Sequence, residues 1–239
     1  MTKYALYLES GPRQRKTMIH VLDLMGCIVQ GPTSLEAIDA APAAIRTYLH
    51  FLQRHGENVS PLEDVTVEVA EHIMQGIWLG YGDPTPGFSR DFESLTRDDL
   101  KIYLQHLTWM QNDLLELVRS VKSDALSAEP LGGGRAIDHI LIHVAESETV
   151  YLRYLVGKVN LLSDALRIVQ ENPSQPVPAL TFLWEVIRTR LEQLTNIELS
   201  QTVPHGQVTW TARRALRRIL EHTWEHLQEI NHRLPANTD

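Results

Sequence analysis

The sequence predicts an α+β domain at the N-terminus, with a small antiparallel sheet and one helix, followed by an all-α four-helix bundle. Apolar and polar residues alternate over the first ~25 residues and again near residue 70, a period of two that is typical of strands. After residue 95 every long segment repeats its apolar residues at helical spacing. The segment between them is rich in glycine and proline. We therefore predict domains at 1–75 and 96–239, joined by a linker or wrapping loop at 76–95.

The N-terminal elements follow from local patterns. YALYLE and KTMIHVLDL predict two antiparallel strands on either side of the turn residues SGPRQ, and VTVEVAEHI predicts a third or fourth strand. The intervening run from Gly31 has helical spacing; Thr33 suits its N-cap and Glu36 completes a capping box. Gly56 suits its C-terminal end. Pro42 predicts a kink or a break within this helix.

Four long helices are predicted in the C-terminal half. They cover about 96–121, 136–157, 179–197 and 211–234, and helices of such lengths are typical of a four-helix bundle. The segment 158–178 is longer than a helical hairpin requires. It predicts a crossover connection that includes a short helix in SDALRIVQ.

Composition limits the classes of partner. The net charge is −8, which disfavours nucleic-acid binding. A local basic cluster near the C-terminus is predicted to lie on a solvated helix face and consists of Arg213, Arg214, Arg217 and Arg218. No apolar run reaches the ~18 residues that a membrane span needs. A single cysteine excludes an intrachain disulfide. We expect a soluble cytoplasmic protein without membrane attachment, and the sequence leaves open a small-molecule substrate and a homodimer.

A histidine pair near the C-terminus is the strongest chemical signal. His222 and His226 stand four apart in LRRILEHTWEHLQEI, and on a helix this spacing brings two imidazoles within reach of one ion. A chance polar pair on an amphipathic helix gives the same pattern. The pair also fits H-x-x-E-H, but that peptidase pattern needs a ligand far downstream, and only 13 residues follow His226. A third ligand must therefore come from upstream.

The predicted helix at 136–157 offers that ligand. His143 lies on the flank of its apolar face, whereas His139 lies outside that face. Glu148 falls near the middle of the apolar face, where an ionised carboxylate needs a partner. Such a partner could be a metal, an arginine or an imidazole N–H that Glu148 would orient. Glu148 and Glu225 are candidate proton acceptors, and a structural role is open for both.

The N-terminal segment resembles the HicB-like antitoxin domain over roughly residues 3–73. The resemblance rests on a spaced set of residues from strand to helix end: Asp23, Leu24, Gly26, Cys27, Gly31, Thr33, Glu36, Ala37, Gly56 and Glu57. Met25 stands where that family usually has proline. The resemblance implies a fold of three or four strands and one helix. Many members carry a separate DNA-binding element, and none is evident in this sequence.

The C-terminal half is similar to the DinB-like, or YfiT-like, family of four-helix bundles. A histidine within HxxxxE on the second helix, followed by a histidine pair on the fourth, carries the resemblance. It implies that His143, His222 and His226 hold one divalent ion, zinc or nickel, with open coordination positions. Hydrolysis or transfer of a low-molecular-weight thiol is the implied reaction class, with no catalytic residue assigned. The alternative is a non-enzymatic regulator in which the metal is structural.

Overall fold

The computed structural model describes residues 2–62, 64–130 and 132–234. Backbone contacts divide the chain into two compact units, Met1–Glu93 and Ser94–Asp239. The first contains a four-stranded sheet with one long helix, and the second is helical apart from a small hairpin. The predicted fold class, an α+β region followed by an all-helical one, is confirmed.

The sheet of the first unit is mixed, which corrects the predicted antiparallel sheet. Its strand order is β3-β2-β1-β4, formed by Thr2–Ser10 (β1), Arg15–His20 (β2), Ile28–Thr33 (β3) and Val65–Ile73 (β4). The pairs β1–β2 and β2–β3 are antiparallel, whereas β4 runs parallel to β1. The reason is the helix between β3 and β4, which carries the chain back along the sheet so that β4 runs in the direction of β3 and β1.

Helix α1 (Ser34–Arg54) covers this sheet. The predicted N-cap is present, because Glu36 N donates to Thr33 Oγ1 at 3.2 Å. The Glu36 carboxylate accepts from the Thr33 hydroxyl at 2.7 Å, where a capping box would have it accept from the Thr33 backbone N–H, so only half of the predicted capping box forms. The helix is continuous through Pro42, so the predicted break is absent. Its buried face, which includes Ile45 and Tyr48, packs against the sheet. Local capping and apolar spacing therefore account for this helix.

The segment after β4 packs within the first unit. Phe88 is fully buried, and its ring lies against Tyr7 and His20 at centroid distances of 5.5 and 5.1 Å. Arg90 forms an ion pair with Asp23. The sequence allowed a linker or a wrapping loop here, and these contacts are those of a packed loop. The domain limits at 75 and 96 stay a prediction.

The second unit contains four long helices: Arg97–Ser120 (α2), Ile137–Val156 (α4), Pro176–Glu192 (α6) and Ala212–Arg233 (α8). Shorter helices are Ser123–Leu126 (α3), Asn160–Glu171 (α5) and Asn196–Ser200 (α7). Helix α5 lies in the predicted crossover. A hairpin of Val203–His205 (β5) and Val208–Trp210 (β6) was not predicted, because its strands are too short to show a period. No described helix is long and apolar enough to span a membrane.

Helix α8 is buried on nearly every side, and this overturns the prediction of a solvated arginine face. It packs on α2, α4 and α7, and four of its arginines are at most 8% exposed: Arg213, Arg214, Arg217 and Arg218. Glu221, 1% exposed, accepts from Arg217 Nη1 at 2.8 Å and from Arg218 Nη1 at 3.2 Å. Arg213 pairs with Asp99. Hydrogen bonding to charged partners offsets the cost of burying these side chains.

Candidate metal centre

Three histidines converge where α4 packs against α8. His143 comes from α4, and His222 and His226 come from successive turns of α8. The Nε2 atoms of His143 and His222 are 3.1 Å apart, and one nitrogen from each of the three rings lies within 4.8 Å of the others. The structure therefore brings together the three residues that the sequence analysis selected.

Burial keeps the first two of these rings uncharged. Desolvation lowers the pKa of His143 to about 4, with smaller effects from the charges of Arg135 and His226. Desolvation also lowers the pKa of His222 well below its ordinary range, and the neighbouring His226 and His143 add to the effect. A neutral imidazole has a lone pair to share, which is the form that binds a metal.

Glu229 fixes the orientation of the third ring. His226 Nδ1 lies 2.6 Å from Glu229 Oε2, and since a carboxylate only accepts, Nδ1 carries the proton and Nε2 is left as the lone-pair atom. Glu229 also pairs with Arg233, whose Nη1 donates to the Arg135 carbonyl at 2.6 Å. Glu229 was not among the site residues predicted from the sequence. Its position three residues after His226, on the same helix face, was the available signal.

The three imidazoles fit one divalent ion. Two nitrogens bound tetrahedrally to zinc at 2.0–2.1 Å would be about 3.4 Å apart, close to the 3.1 Å observed between His143 and His222. A direct hydrogen bond between those two rings would explain that distance, but it would not explain the approach of His226. Within residues 2–62, 64–130 and 132–234, no carboxylate or thiol joins this group. Imidazole nitrogens suit first-row transition metals such as zinc, copper, iron and nickel.

The two predicted glutamates lie outside this group. Glu148 is fully buried and accepts a hydrogen bond from Thr223 Oγ1 at 2.6 Å, so its partner is a hydroxyl and not an imidazole. Burial raises the pKa of Glu148 to about 7. Glu225 is half-buried on α8. His139 and His232 are exposed, as expected for residues outside the site.

The surroundings of the three histidines differ from side to side. His143 is half-buried, whereas His222 and His226 are each 6% exposed, so solvent approaches from the α4 side. The ring of Tyr151 lies 6.0 Å from that of His222 and stacks on Trp210 at 5.9 Å. Trp210 belongs to β6, so this aromatic pair links the histidine group to the β5–β6 hairpin.

Comparison with known proteins yields one family. A family model described as the DinB superfamily matches residues 106–230, which is 125 of 239 residues and includes all three histidines. No curated protein and no solved structure matches the chain.

Proposed function

Because this chain belongs to the DinB superfamily, we propose that its helical unit binds one divalent metal ion, zinc or nickel, and uses it in a reaction. The ligands are His143, His222 and His226. The observation that carries the proposal is the convergence of three imidazole nitrogens within 4.8 Å from two packed helices. Superfamily members often bind metal, which supports the same assignment.

The donor set favours an open site over a closed one. A structural zinc usually has four protein ligands, whereas a catalytic ion keeps a position for water or substrate. The described residues supply three, and the half-buried His143 leaves an approach from solvent. An ion held in this way can lower the pKa of bound water or activate a thiolate. We therefore propose a metal-dependent hydrolase or thiol transferase that acts on a small molecule.

The protein's own residues prepare the site. Glu229 holds His226 in the tautomer that points Nε2 at the group. Burial keeps His143 and His222 deprotonated at neutral pH. The buried ring of Tyr151 lies beside His222 and stacks on Trp210. No residue is assigned as the proton acceptor of the reaction.

The alternative is a regulator in which the metal only joins α4 to α8. It is favoured by the deep burial of His222 and His226 and by the proposed HicB-like identity of the first unit.

Two glycines of that resemblance have structural roles here. Gly26 has a φ of 109°, and a Cβ on Gly31 would lie 2.7 Å from the backbone of Ala37. These positions explain why the pattern requires glycine.

Metal analysis tests the ligand assignment. Protein purified without a nickel column should contain about one divalent ion per chain. His143→Ala, His222→Ala and His226→Ala should each lose most of it, whereas His139→Ala and His232→Ala, both at exposed histidines, should retain it. Unchanged metal content in the first three variants would reject the assignment.

Cobalt substitution then separates enzyme from structural site. If a coordination position is free, the visible spectrum of the cobalt protein should change on adding azide or a small thiol. A spectrum typical of four protein ligands that ignores both additions would favour the regulator.

A further inference from the structure

Arg135, which precedes the N-cap residue of α4, is an exposed cation beside the three histidines. Burial is the main cause of the lowered pKa values of His143 and His222, and the charge of Arg135 adds to it at both rings. The Arg135 guanidinium forms no hydrogen bond or ion pair with any residue in the described ranges, because the contact of Arg135 is through its backbone carbonyl. Its N–H donors are therefore free to bind a ligand.

The backbone of Arg135 is fixed to helix α8. Its carbonyl accepts from Arg233 Nη1 at 2.6 Å, and Arg233 pairs with Glu229, the residue that orients His226. A Cβ on Gly134 would lie 3.3 Å from Arg233 Nη2, so the preceding loop also packs against this arginine. A chain of direct polar contacts thus connects the Arg135 backbone with His226 and holds the base of the Arg135 side chain near the histidine group.

Arg135 lies on the side from which solvent approaches. That side is the α4 side, where His143 is half-buried, and Arg135 is an exposed residue at the start of the same helix. His143 lies six residues after Ile137, about 9 Å along the helix axis. A small molecule that reaches the histidines from the α4 side therefore has Arg135 as a charged neighbour.

Two other charged groups near the histidines are occupied by partners within the protein. Arg218, whose charge adds to the burial that lowers the pKa of His222, is itself buried and donates to the Glu221 carboxylate at 3.2 Å. Glu229 pairs with Arg233. Unlike Arg135, neither group is free to bind a ligand.

Glu146 is the nearby charge that opposes the binding of an anion. It counteracts the desolvation that lowers the pKa of His143, and it accepts from the neutral amide of Gln170 at 2.7 Å, so its negative charge is retained. Glu146 follows His143 by three residues on α4, whereas Arg135 precedes the helix. The two charges therefore lie on opposite sides of His143 along the helix axis, and a bound divalent ion together with Arg135 outweighs Glu146.

We propose that Arg135 binds a carboxylate of the small molecule that reaches the three-histidine site, and that the site therefore selects an anionic substrate or thiol. This rests on the proposed function, because the other end of the same molecule is the one that reaches the ion. Guanidinium N–H groups match a carboxylate with two parallel hydrogen bonds, which a neutral amide does not reproduce. Arg135 is thus a specificity residue and not a ligand of the ion.

Two thiols that differ in charge test this role. 3-Mercaptopropionate and 3-mercaptopropionamide have the same chain and the same metal-binding sulfur, but only the first carries a carboxylate. Each is titrated into the cobalt-substituted full-length protein, and the visible spectrum gives its dissociation constant. The ratio of the two constants is compared between proteins, so the different acidities of the two thiols cancel. Arg135→Gln should reduce the preference for the carboxylate about tenfold, the lower end of what hydrogen bonds to charged groups contribute.

Arg153→Gln is the matched control. Arg153 is another exposed arginine of α4, ten residues after His143 and about 15 Å from it along the axis, and its side chain has no partner among the described residues. This variant changes the net charge by the same amount and should keep the wild-type ratio. Arg135→Lys, which keeps the charge but not the planar guanidinium, should retain part of the preference.

The outcomes distinguish the role of Arg135 from the proposed function. Equal ratios in the wild type and Arg135→Gln, with both thiols still changing the spectrum, would overturn the role of Arg135 and leave the open metal site in place. An equal loss of preference in Arg153→Gln would assign the effect to net charge and would also overturn that role. If neither thiol changes the wild-type spectrum, the open metal site is itself refuted, and the role of Arg135 is refuted with it.

Discussion

The protonation of Glu148 should make the stability of the helical unit depend on pH, and Glu148→Gln should remove that dependence. Glu148 is fully buried, and desolvation raises its pKa from 4.5 to about 7 despite hydrogen bonds from Thr223, Trp184 and Gln111. Glutamine keeps the shape and hydrogen-bonding capacity of the protonated acid but does not ionise. Comparing the wild type with Glu148→Gln therefore separates the effect of the charge from the effect of side-chain shape.

The sign and size follow from linkage between folding and proton binding. A folded-state pKa above the unfolded value means that the folded protein binds the proton more tightly, so the stabilisation is complete below about pH 4.5 and is lost as the pH rises through about 7. Raising a pKa from 4.5 to about 7 corresponds to about 3 kcal/mol, an order-of-magnitude figure. The wild type should therefore lose about 3 kcal/mol relative to Glu148→Gln between about pH 4.5 and pH 8.

Urea unfolding of both proteins over this pH range, followed by tryptophan fluorescence, measures the difference. The lowered pKa values of His143 and His222 give the opposite pH dependence, because their neutral forms are the stable ones in the fold. That contribution is present in both proteins and cancels in the comparison. If the two stability curves run parallel from pH 4.5 to 8, Glu148 does not change its protonation as inferred.

Three further predictions concern the metal centre and the sheet. Glu229→Gln should weaken metal binding about 10–100-fold, measured by competition with a chelator, because the carboxylate that orients His226 is lost; unchanged affinity would exclude that role. Metal binding should persist well below pH 6.5 and be lost toward about pH 4, because His143 gains its proton only there; loss near pH 6.5 in a chelator titration would contradict this order. Gly31→Ala should lower the unfolding free energy by about 1–3 kcal/mol, because its Cβ would lie 2.7 Å from the backbone of Ala37, whereas Gly132→Ala meets no atom within 4 Å and should have little effect; equal thermal stability of the two variants would refute the packing argument.

Features set by neighbours along the chain were predictable from the sequence. The N-cap of Thr33, the helical faces of the four long helices and the spacing of His222 and His226 all depend on residues a few positions apart. Periodicity and capping chemistry express these local relationships directly. The choice of His143 as their companion came from the order of motifs in the resemblance to the DinB-like family.

Features set by distant segments required the tertiary structure. Two of these features join residues far apart in sequence: the parallel pairing of β4 with β1 and the hydrogen bond between Glu148 and Thr223. A third, the burial of the α8 arginines, depends on which elements cover that helix. A helical wheel shows which residues share a face, but it does not show how many faces are covered. Helix α8 is surrounded, so its polar face is buried like its apolar one. The sequence therefore determines which side chains lie together on each helix or strand. The packing of these elements determines the solvation, the partners and the charge of those side chains, because desolvation depends on every segment that excludes water.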